Sequence, residues 1–198
     1  MKKSLFFLLP GTDLLSSTTD ELGKNDDSCQ QNNLMSKPDF NNFKTIALDP
    51  FANSEPDPSW NISRNGTALL QSLNSSPGLA VGRDNLEGVY FEGNLFVDTT
   101  SDVGYVGFVF SYQDNSKFYV VMWKKSRQVY WMNSPFAATA TAGIQLKLVN
   151  SIHGPGAWLR NGLWHSGDTK DHVKLLWQDP KQQSWQYKVN ALFASIGV

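Results

Sequence analysis

The chain has a single cysteine, Cys29, among its 198 residues. No disulfide can therefore form within this chain, and an odd cysteine in an extracellular protein predicts a partner elsewhere. An excess of one charge is also lacking, since 17 basic and 18 acidic side chains leave a net charge of −1. Without a basic surplus we predict no nucleic-acid partner, because such binding depends on neutralising phosphates.

Long hydrophobic runs are missing as well. A membrane-spanning helix needs about 20 consecutive apolar residues, and no stretch of the chain approaches that length, so we predict no membrane insertion. Residues 5–9 follow two lysines in the manner of a secretory signal, but Pro10 ends the apolar run after five residues. Because the apolar core of a signal peptide normally has about 7–15 residues, we predict no convincing signal peptide here.

The common catalytic motifs are absent too. The three histidines, His153, His165 and His172, lack the partner spacing of a zinc site. There is no nucleophile elbow and no phosphate-binding glycine loop. His165 and Asp168 flank a serine and bring together the residue types of a hydrolase triad, although neighbours on a turn do not by themselves form its relay. We predict a non-enzymatic protein, with a hydrolase that uses His165 and Asp168 as an alternative.

Aromatic residues, by contrast, are abundant: seven Trp, six Tyr and twelve Phe. One dense stretch has six apolar or aromatic residues between two lysines: Lys117, Phe118, Tyr119, Val120, Val121, Met122, Trp123 and Lys124. Such a run, rich in aromatic and β-branched residues, is typical of a strand that is buried on both faces. Residues 128–131 follow it at hairpin distance.

Shorter segments with alternating or apolar character recur along the chain, separated by Gly, Pro, Asn and Asp. We predict strands at residues 43–48, 79–81, 89–98, 105–110, 144–149 and 173–177, and we favour a strand at 67–73. No long amphipathic helix is indicated. Several short strands with turn signals between them predict an all-β sandwich or jelly roll.

Three loops are rich in the oxygen ligands that calcium prefers. They contribute Asp84 and Asn85, Asp98 and Asp102, and Asp114. None forms a contiguous EF-hand, and Asp and Asn also cap turns without any metal. Both interpretations stay open on the residues alone.

Three N-glycosylation sequons lie close together, at Asn61, Asn65 and Asn74. Each alone is a weak signal, because such triplets arise by chance. Clustered in a loop-rich region, they fit a secreted glycoprotein, whose glycans occupy surface loops.

Several long motifs resemble the C-terminal lectin-like domain of the thrombospondins. They include residues 77–82 (PGLAVG), 105–124 and 159–169 (LRNGLWHSGDT), and they follow the family's order over roughly residues 37–187. The resemblance implies an extracellular, calcium-binding, adhesive glycoprotein without catalytic activity. Its fold would be a jelly-roll sandwich similar to the legume-type, concanavalin-like lectins.

The resemblance also implies a domain organisation and partners. Residues 1–36 would be a mostly irregular linker with the tail of a calcium-binding repeat, residues 37–187 a partial lectin-like domain, and residues 188–198 a divergent tail. Cys29 would be disulfide-bonded in the family, with its partner absent from this chain. The partners would be cell-surface receptors and matrix proteins. Full-length relatives, which also have EGF-like domains, would be homo-oligomeric.

Two sites follow from the resemblance. In the family a segment like Lys117–Lys124 has been proposed to contact a receptor, whereas a core strand could not do so without local unfolding. The lectin-like architecture and the indoles of Trp60, Trp158 and Trp185 suggest a carbohydrate-binding, lectin-like module as the alternative function.

The chain departs from the family pattern in two places. Where the family usually has three successive aspartates, this chain has Asp102-Val103-Gly104, and fewer carboxylates would weaken a calcium site there. After Tyr187 the family continues with further strands, whereas residues 188–198 fit no such continuation. We therefore expect a sandwich that is incomplete at its C-terminal end.

Overall fold

The computed structural model describes residues 4–8, 12–13, 39–52, 55–82, 89–96, 104–184 and 188–195, with side chains described in 39–52, 55–82 and 104–184. The strands in chain order are β1 (Ser4–Leu8), β2 (Thr12–Asp13), β3 (Lys44–Ala47), β4 (Trp60–Ile62), β5 (Leu69–Gln71), β6 (Gly78–Val81), β7 (Val89–Phe96), β8 (Tyr105–Asp114), β9 (Lys117–Lys124), β10 (Gln128–Val129), β11 (Thr139–Ala140), β12 (Gly143–Asn150), β13 (Val173–Gln178) and β14 (Lys188–Ser195). A short 3-10 helix (Phe40–Asn42) and the α-helix α1 (Ala157–Trp164) complete the described elements.

The largest sheet has seven strands in the order β13-β12-β9-β8-β1-β6-β3. β1 runs parallel to both of its neighbours, whereas the other pairs of this sheet are antiparallel. A second sheet joins β14, β7 and β2, and two small sheets join β4 with β5 and β10 with β11. The prediction of an all-β sandwich is confirmed.

β8 and β9 form a hairpin within the large sheet. The turn between them contains Ser116, whose backbone N–H donates to the Asp114 carboxylate at 2.7 Å. The two backbones approach so closely at Gly107 that a Cβ there would lie 1.9 Å from the carbonyl oxygen of Val121. Only glycine fits this position without displacing the neighbouring strand.

Burial alternates along β9. The inner-face side chains, at most 2% exposed, are Phe118, Val120, Met122 and Lys124. The outer-face side chains, which are half-buried, are Tyr119, Val121 and Trp123. The predicted strand is found, but it is fully buried on one face only, because alternate side chains of a strand point to opposite sides of the sheet.

The helix α1 packs against this inner face. Leu159 and Leu163 are at most 2% exposed and belong to the same buried cluster as Phe118 and Val120. Gly156 precedes the helix with φ 136°, a conformation that favours glycine. The sequence pattern did not indicate this helix, because eight residues are too few to establish a helical period.

Two segments differ from expectation. Residues 128–131 lie at hairpin distance from β9, yet β10 pairs with β11 instead. The residue after β10, Tyr130, donates its backbone N–H to the carbonyl oxygen of Ala138 at 2.9 Å, which continues that contact. Residues 188–195, within the expected divergent tail, form β14 and pair with β7. The predicted domain bounds at 36 and 187 remain predictions.

Candidate functional site

The predicted receptor-contact segment is mostly enclosed. All four inner-face side chains of β9 are buried, and the Lys124 amine donates to Gln128 Oε1 at 3.0 Å. That amine also lies 4.4 Å from the ring centroid of Trp164, as a cation–π contact. Lys117 is exposed. The intact strand therefore offers a partner Lys117 and three half-buried side chains, while the other four side chains belong to the core.

Four of the five predicted calcium ligands, Asp84, Asn85, Asp98 and Asp102, lie outside the described residues. The fifth, Asp114, is exposed at the β8–β9 turn. Its Oδ1 accepts the Ser116 hydroxyl at 2.6 Å and the Ser116 backbone N–H at 2.7 Å, and these bonds lower the pKa of the Asp114 carboxyl. Asp114 therefore acts as a turn cap. Across the described ranges, no group of three or more His, Cys, Asp or Glu residues could hold a metal ion.

Two of the three sequons lie on the β4–β5 hairpin. Asn61 is exposed on β4, and its Nδ2 donates to Ser72 Oγ at 3.2 Å. Asn65 is exposed in the connecting turn, where its Oδ1 accepts the Thr67 hydroxyl at 2.8 Å. Asn74 follows β5 and is half-buried. The two hairpin asparagines are the more accessible of the three.

The indoles predicted as sugar platforms differ in exposure. Trp158 on α1 is 41% exposed, whereas Trp60 on β4 is half-buried. Trp185 and Cys29 lie outside the described residues. Of the two indoles in this set that the structure describes, Trp158 is therefore the more exposed.

The two residues of the alternative hydrolase, His165 and Asp168, accept hydrogen bonds from backbone N–H groups. His165 Nδ1 accepts the Thr139 backbone N–H at 3.2 Å, and Asp168 Oδ1 accepts the Leu175 backbone N–H at 2.7 Å. Ser166 Oγ instead accepts a bond from Gln145 Nε2 at 2.5 Å. Within the part of the chain that the structure describes, no hydrogen bond joins His165 to Asp168 or to a serine hydroxyl.

His165 and Asp168 do both line a cleft of about 250 Å³. Its lining residues are Phe136, Trp158, His165, Asp168, Thr169, Lys170 and His172. The wall is formed by rings in mutual contact, with Trp158 stacked on His172 at 5.0 Å and 19°. Trp158 also lies 5.7 Å from Phe136, which in turn meets His165 edge-on at 6.3 Å. Burial lowers the pKa of both His165 and His172, so that the wall is largely uncharged at neutral pH.

Sequence reasoning identified only part of this cleft. His165, Asp168 and Trp158 were singled out for different reasons, while Phe136, Thr169 and Lys170 were missed. The turn that brings them together is closed by Thr169, whose backbone N–H donates to the Val173 carbonyl at 2.8 Å. No periodic signal encodes that closure, because it depends on tertiary packing between α1 and β13.

A family model for the thrombospondin C-terminal region matches residues 55–195, which is most of the chain and includes the cleft. The chain belongs to the thrombospondin C-terminal family. The resemblance inferred from the motifs is thereby confirmed. Within the described residues, no helix has the length and apolar character needed to cross a membrane.

Individual thrombospondins and a cartilage protein agree with this family membership. Thrombospondin-4-B of Danio rerio is 51% identical over 152 residues, which cover 77% of this chain and 16% of that protein. Cartilage oligomeric matrix protein of Homo sapiens is 49% identical over 160 residues, covering 81% of this chain and 21% of that protein. Thrombospondin-3 of Homo sapiens is 47% identical over 164 residues, covering 83% and 17%. The chain thus spans about a fifth of the length of the curated relatives it matches.

Proposed function

We propose that this chain is a non-enzymatic module of a secreted extracellular matrix glycoprotein and that it supports calcium-dependent cell adhesion and cell–matrix interaction. The observation that carries the proposal is its membership of the thrombospondin C-terminal family. One relative at about half identity is named as an oligomeric matrix protein of cartilage. Cell-surface receptors and other matrix proteins are the proposed partners, and homo-oligomers are the proposed form of the full-length protein.

Calcium is the proposed cofactor. Asp84, Asn85, Asp98 and Asp102 are the proposed main ligands, because they crowd oxygen donors into two loops. Asp114 is the weaker member of the proposed set, since its Oδ1 already accepts two hydrogen bonds from Ser116.

Calorimetric titration of the folded chain with calcium tests this part of the proposal. We expect saturable heat and a higher unfolding temperature in calcium than in chelator, because a ligand that binds the folded state stabilises it. The double variant Asp98→Asn with Asp102→Asn should bind more weakly. Asp57→Asn, which removes the charge of an exposed aspartate outside the proposed ligand set, is the matched control. Absence of both heat and stabilisation would remove the calcium claim.

Asn61, Asn65 and Asn74 are the proposed N-glycan acceptors. Exposure of Asn61 and Asn65 supports modification of the folded surface. Mass mapping of the chain secreted from eukaryotic cells, before and after enzymatic removal of N-glycans, measures the occupancy of each site. Unmodified asparagine at all three positions would contradict this proposal.

The proposed receptor contact is restricted to the accessible side chains of β9. Lys117 and the outer face are proposed to meet the receptor, and the four inner-face side chains are assigned to the core. Lys117→Ala should weaken cell attachment without changing stability, because an exposed lysine contributes little to folding. Lys174→Ala, which removes another exposed lysine in a strand of the same sheet, is the control. Equal attachment by both variants would exclude the contact through Lys117.

A carbohydrate-binding, lectin-like module is the second candidate function. The specific observation in its favour is the 41% exposure of Trp158, since an aromatic platform for a sugar must be accessible. Screening the folded chain against immobilised glycans tests this candidate. Saturable binding to a defined glycan supports it, and the absence of binding across the set rejects it.

A further inference from the structure

The cleft beside α1 combines two kinds of surface. Its wall consists of aromatic and imidazole rings, among them the exposed Trp158. Its rim includes a carboxylate, Asp168, and an amine, Lys170, two residues apart in the chain. Small-molecule sites in proteins are typically concave and mostly apolar, with a few convergent polar groups, and this cleft has that composition.

The rim is held in position before any ligand binds. Asp168 Oδ1 accepts the backbone N–H of Leu175 at 2.7 Å, which anchors the carboxylate to β13. The other oxygen, Oδ2, accepts no hydrogen bond from the described part of the chain, so it is available as an acceptor for a ligand. The following residue, Thr169, is fixed by the bond from its N–H to the Val173 carbonyl. A prearranged acceptor reduces the ordering cost of binding.

The wall is likewise fixed. Trp158 contacts Phe136 and His172, and the exposed His153 lies 5.1 Å from His172 between ring centroids. His172 Nδ1 and Ser151 Oγ are hydrogen-bonded at 3.0 Å in the interior. The bond to Ser151 holds His172 in place, Trp158 stacks on that ring, and Trp158 is still 41% exposed.

We propose that this cleft binds one pyranose unit of a neutral glycan, with the C–H face of the sugar on the Trp158 side and its hydroxyl groups at Asp168 and Lys170. The proposal rests on the second candidate function and names its site and ligand class. A pyranose has both an apolar C–H face and closely spaced hydroxyls, so it uses the ring wall and the rim together. A purely apolar ligand would leave Asp168 unused, and an acidic sugar would bring a second carboxylate beside that of Asp168, with Lys170 as the offsetting cation.

Saturation-transfer NMR of the folded full chain with methyl mannoside, methyl galactoside, N-acetylglucosamine and glucuronate measures this binding directly. We expect at least one neutral sugar to saturate with a dissociation constant on the order of 1 mM. Trp158→Ala and Asp168→Asn should each weaken that binding about tenfold or more, in line with about 1.4 kcal/mol for a lost hydrogen bond or contact. Asp168→Asn keeps an oxygen for the Leu175 N–H, so it probes the rim without releasing the turn.

Trp177→Ala is the matched control, because Trp177 is a 50% exposed indole outside the cleft. It should leave sugar affinity unchanged. Binding of none of the neutral sugars, binding of glucuronate alone, or affinity that survives both cleft variants would each overturn the proposal. Calcium-dependent cell attachment of the same variants distinguishes a failure of the sugar site from a failure of the adhesive function. If Trp158→Ala loses sugar binding but still supports attachment, the adhesive function does not depend on this cleft.

Discussion

Arg160 of α1 and Asp49, two residues after β3, form an ion pair in the protein interior. Their side chains are only 6% and 2% exposed. Arg160 also donates to the carbonyl oxygen of Ser134 at 2.9 Å. The pair therefore links the helix to the segment after β3 and to the loop before β11, and these are the elements that enclose the inner face of the large sheet.

Removing one partner of this pair should be strongly destabilising. Arg160→Met leaves the Asp49 carboxylate buried without its counter-ion, and we expect the free energy of unfolding to fall by about 3–5 kcal/mol in urea unfolding. Adding Asp49→Leu should recover part of the lost free energy of unfolding, because the double variant no longer buries an unpaired charge. Arg127→Met removes an exposed arginine and should change stability by less than about 0.5 kcal/mol. A double variant less stable than Arg160→Met would contradict the role of the charge pair.

Asn161 links the loop before β11 to α1 through hydrogen bonds. Its Nδ2 donates to the carbonyl oxygens of Met132 at 3.1 Å and Phe136 at 2.6 Å, and the residue is fully buried. Asn161→Ala should lower the free energy of unfolding by about 1–3 kcal/mol, the effect of leaving buried acceptors unsatisfied. Asn133→Ala, an exposed asparagine of the same loop, is the control. Equal unfolding midpoints for the two variants would be inconsistent with this arrangement.

Lys147 makes stability dependent on pH. Its amine is buried and donates to the carbonyl oxygens of Leu163 and His165, each at 2.6 Å. Burial lowers the pKa of Lys147 to about 7 from its ordinary 10.5. The cause is desolvation, because the buried ammonium loses its contact with water, so the folded chain binds this proton less readily than the unfolded chain does.

The sign of the effect follows from proton counts. Between about pH 7 and 10.5 the unfolded chain binds more protons at Lys147 than the folded chain does, so stability should rise with pH across that window. The lowered pKa values of His165 and His172 act in the same direction below about pH 6.5. Urea unfolding at pH 7 and pH 9.5 should show the rise, and Lys147→Met should flatten it. A stability that falls between those pH values in the unmodified chain would refute the assignment.

Amide hydrogen exchange tests whether β9 meets a receptor as an intact strand. Paired on both sides by β8 and β12, its amides should exchange only with opening energies close to global unfolding. The β4–β5 hairpin pairs over three residues per strand and should exchange much faster. Exchange in β9 as fast as in that hairpin would mean that the strand opens locally, so that its inner-face side chains could also reach a partner.

The fold could be predicted largely from short apolar segments between turn residues. Strands such as β9 and β12 are long and have strong β-forming residues, so their patterns indicate them directly. Their second face could not be assigned from the sequence, because alternate burial depends on what packs on each side. Residues 128–131 follow β9 at hairpin distance in the sequence, whereas tertiary contacts pair β10 with β11.

The candidate site was predicted only in part for the same reason. His165 and Asp168 drew attention as a possible triad, yet each instead accepts a backbone N–H. Lys170 and Phe136 have no motif that links them to Trp158. Only the packing of α1 against β13 and the 136–139 segment brings these residues to one cleft.

Cell attachment to the immobilised, folded chain, compared between calcium and a chelator, shows whether the chain is a calcium-dependent adhesive module. We expect attachment above that of an inert coated protein in calcium, and its loss in chelator with recovery when calcium is restored. The Asp98→Asn with Asp102→Asn variant should attach more weakly than the control Asp57→Asn at equal calcium. Attachment that is equal in calcium and chelator, or absent in both while the chain is folded, would contradict a calcium-dependent adhesive module.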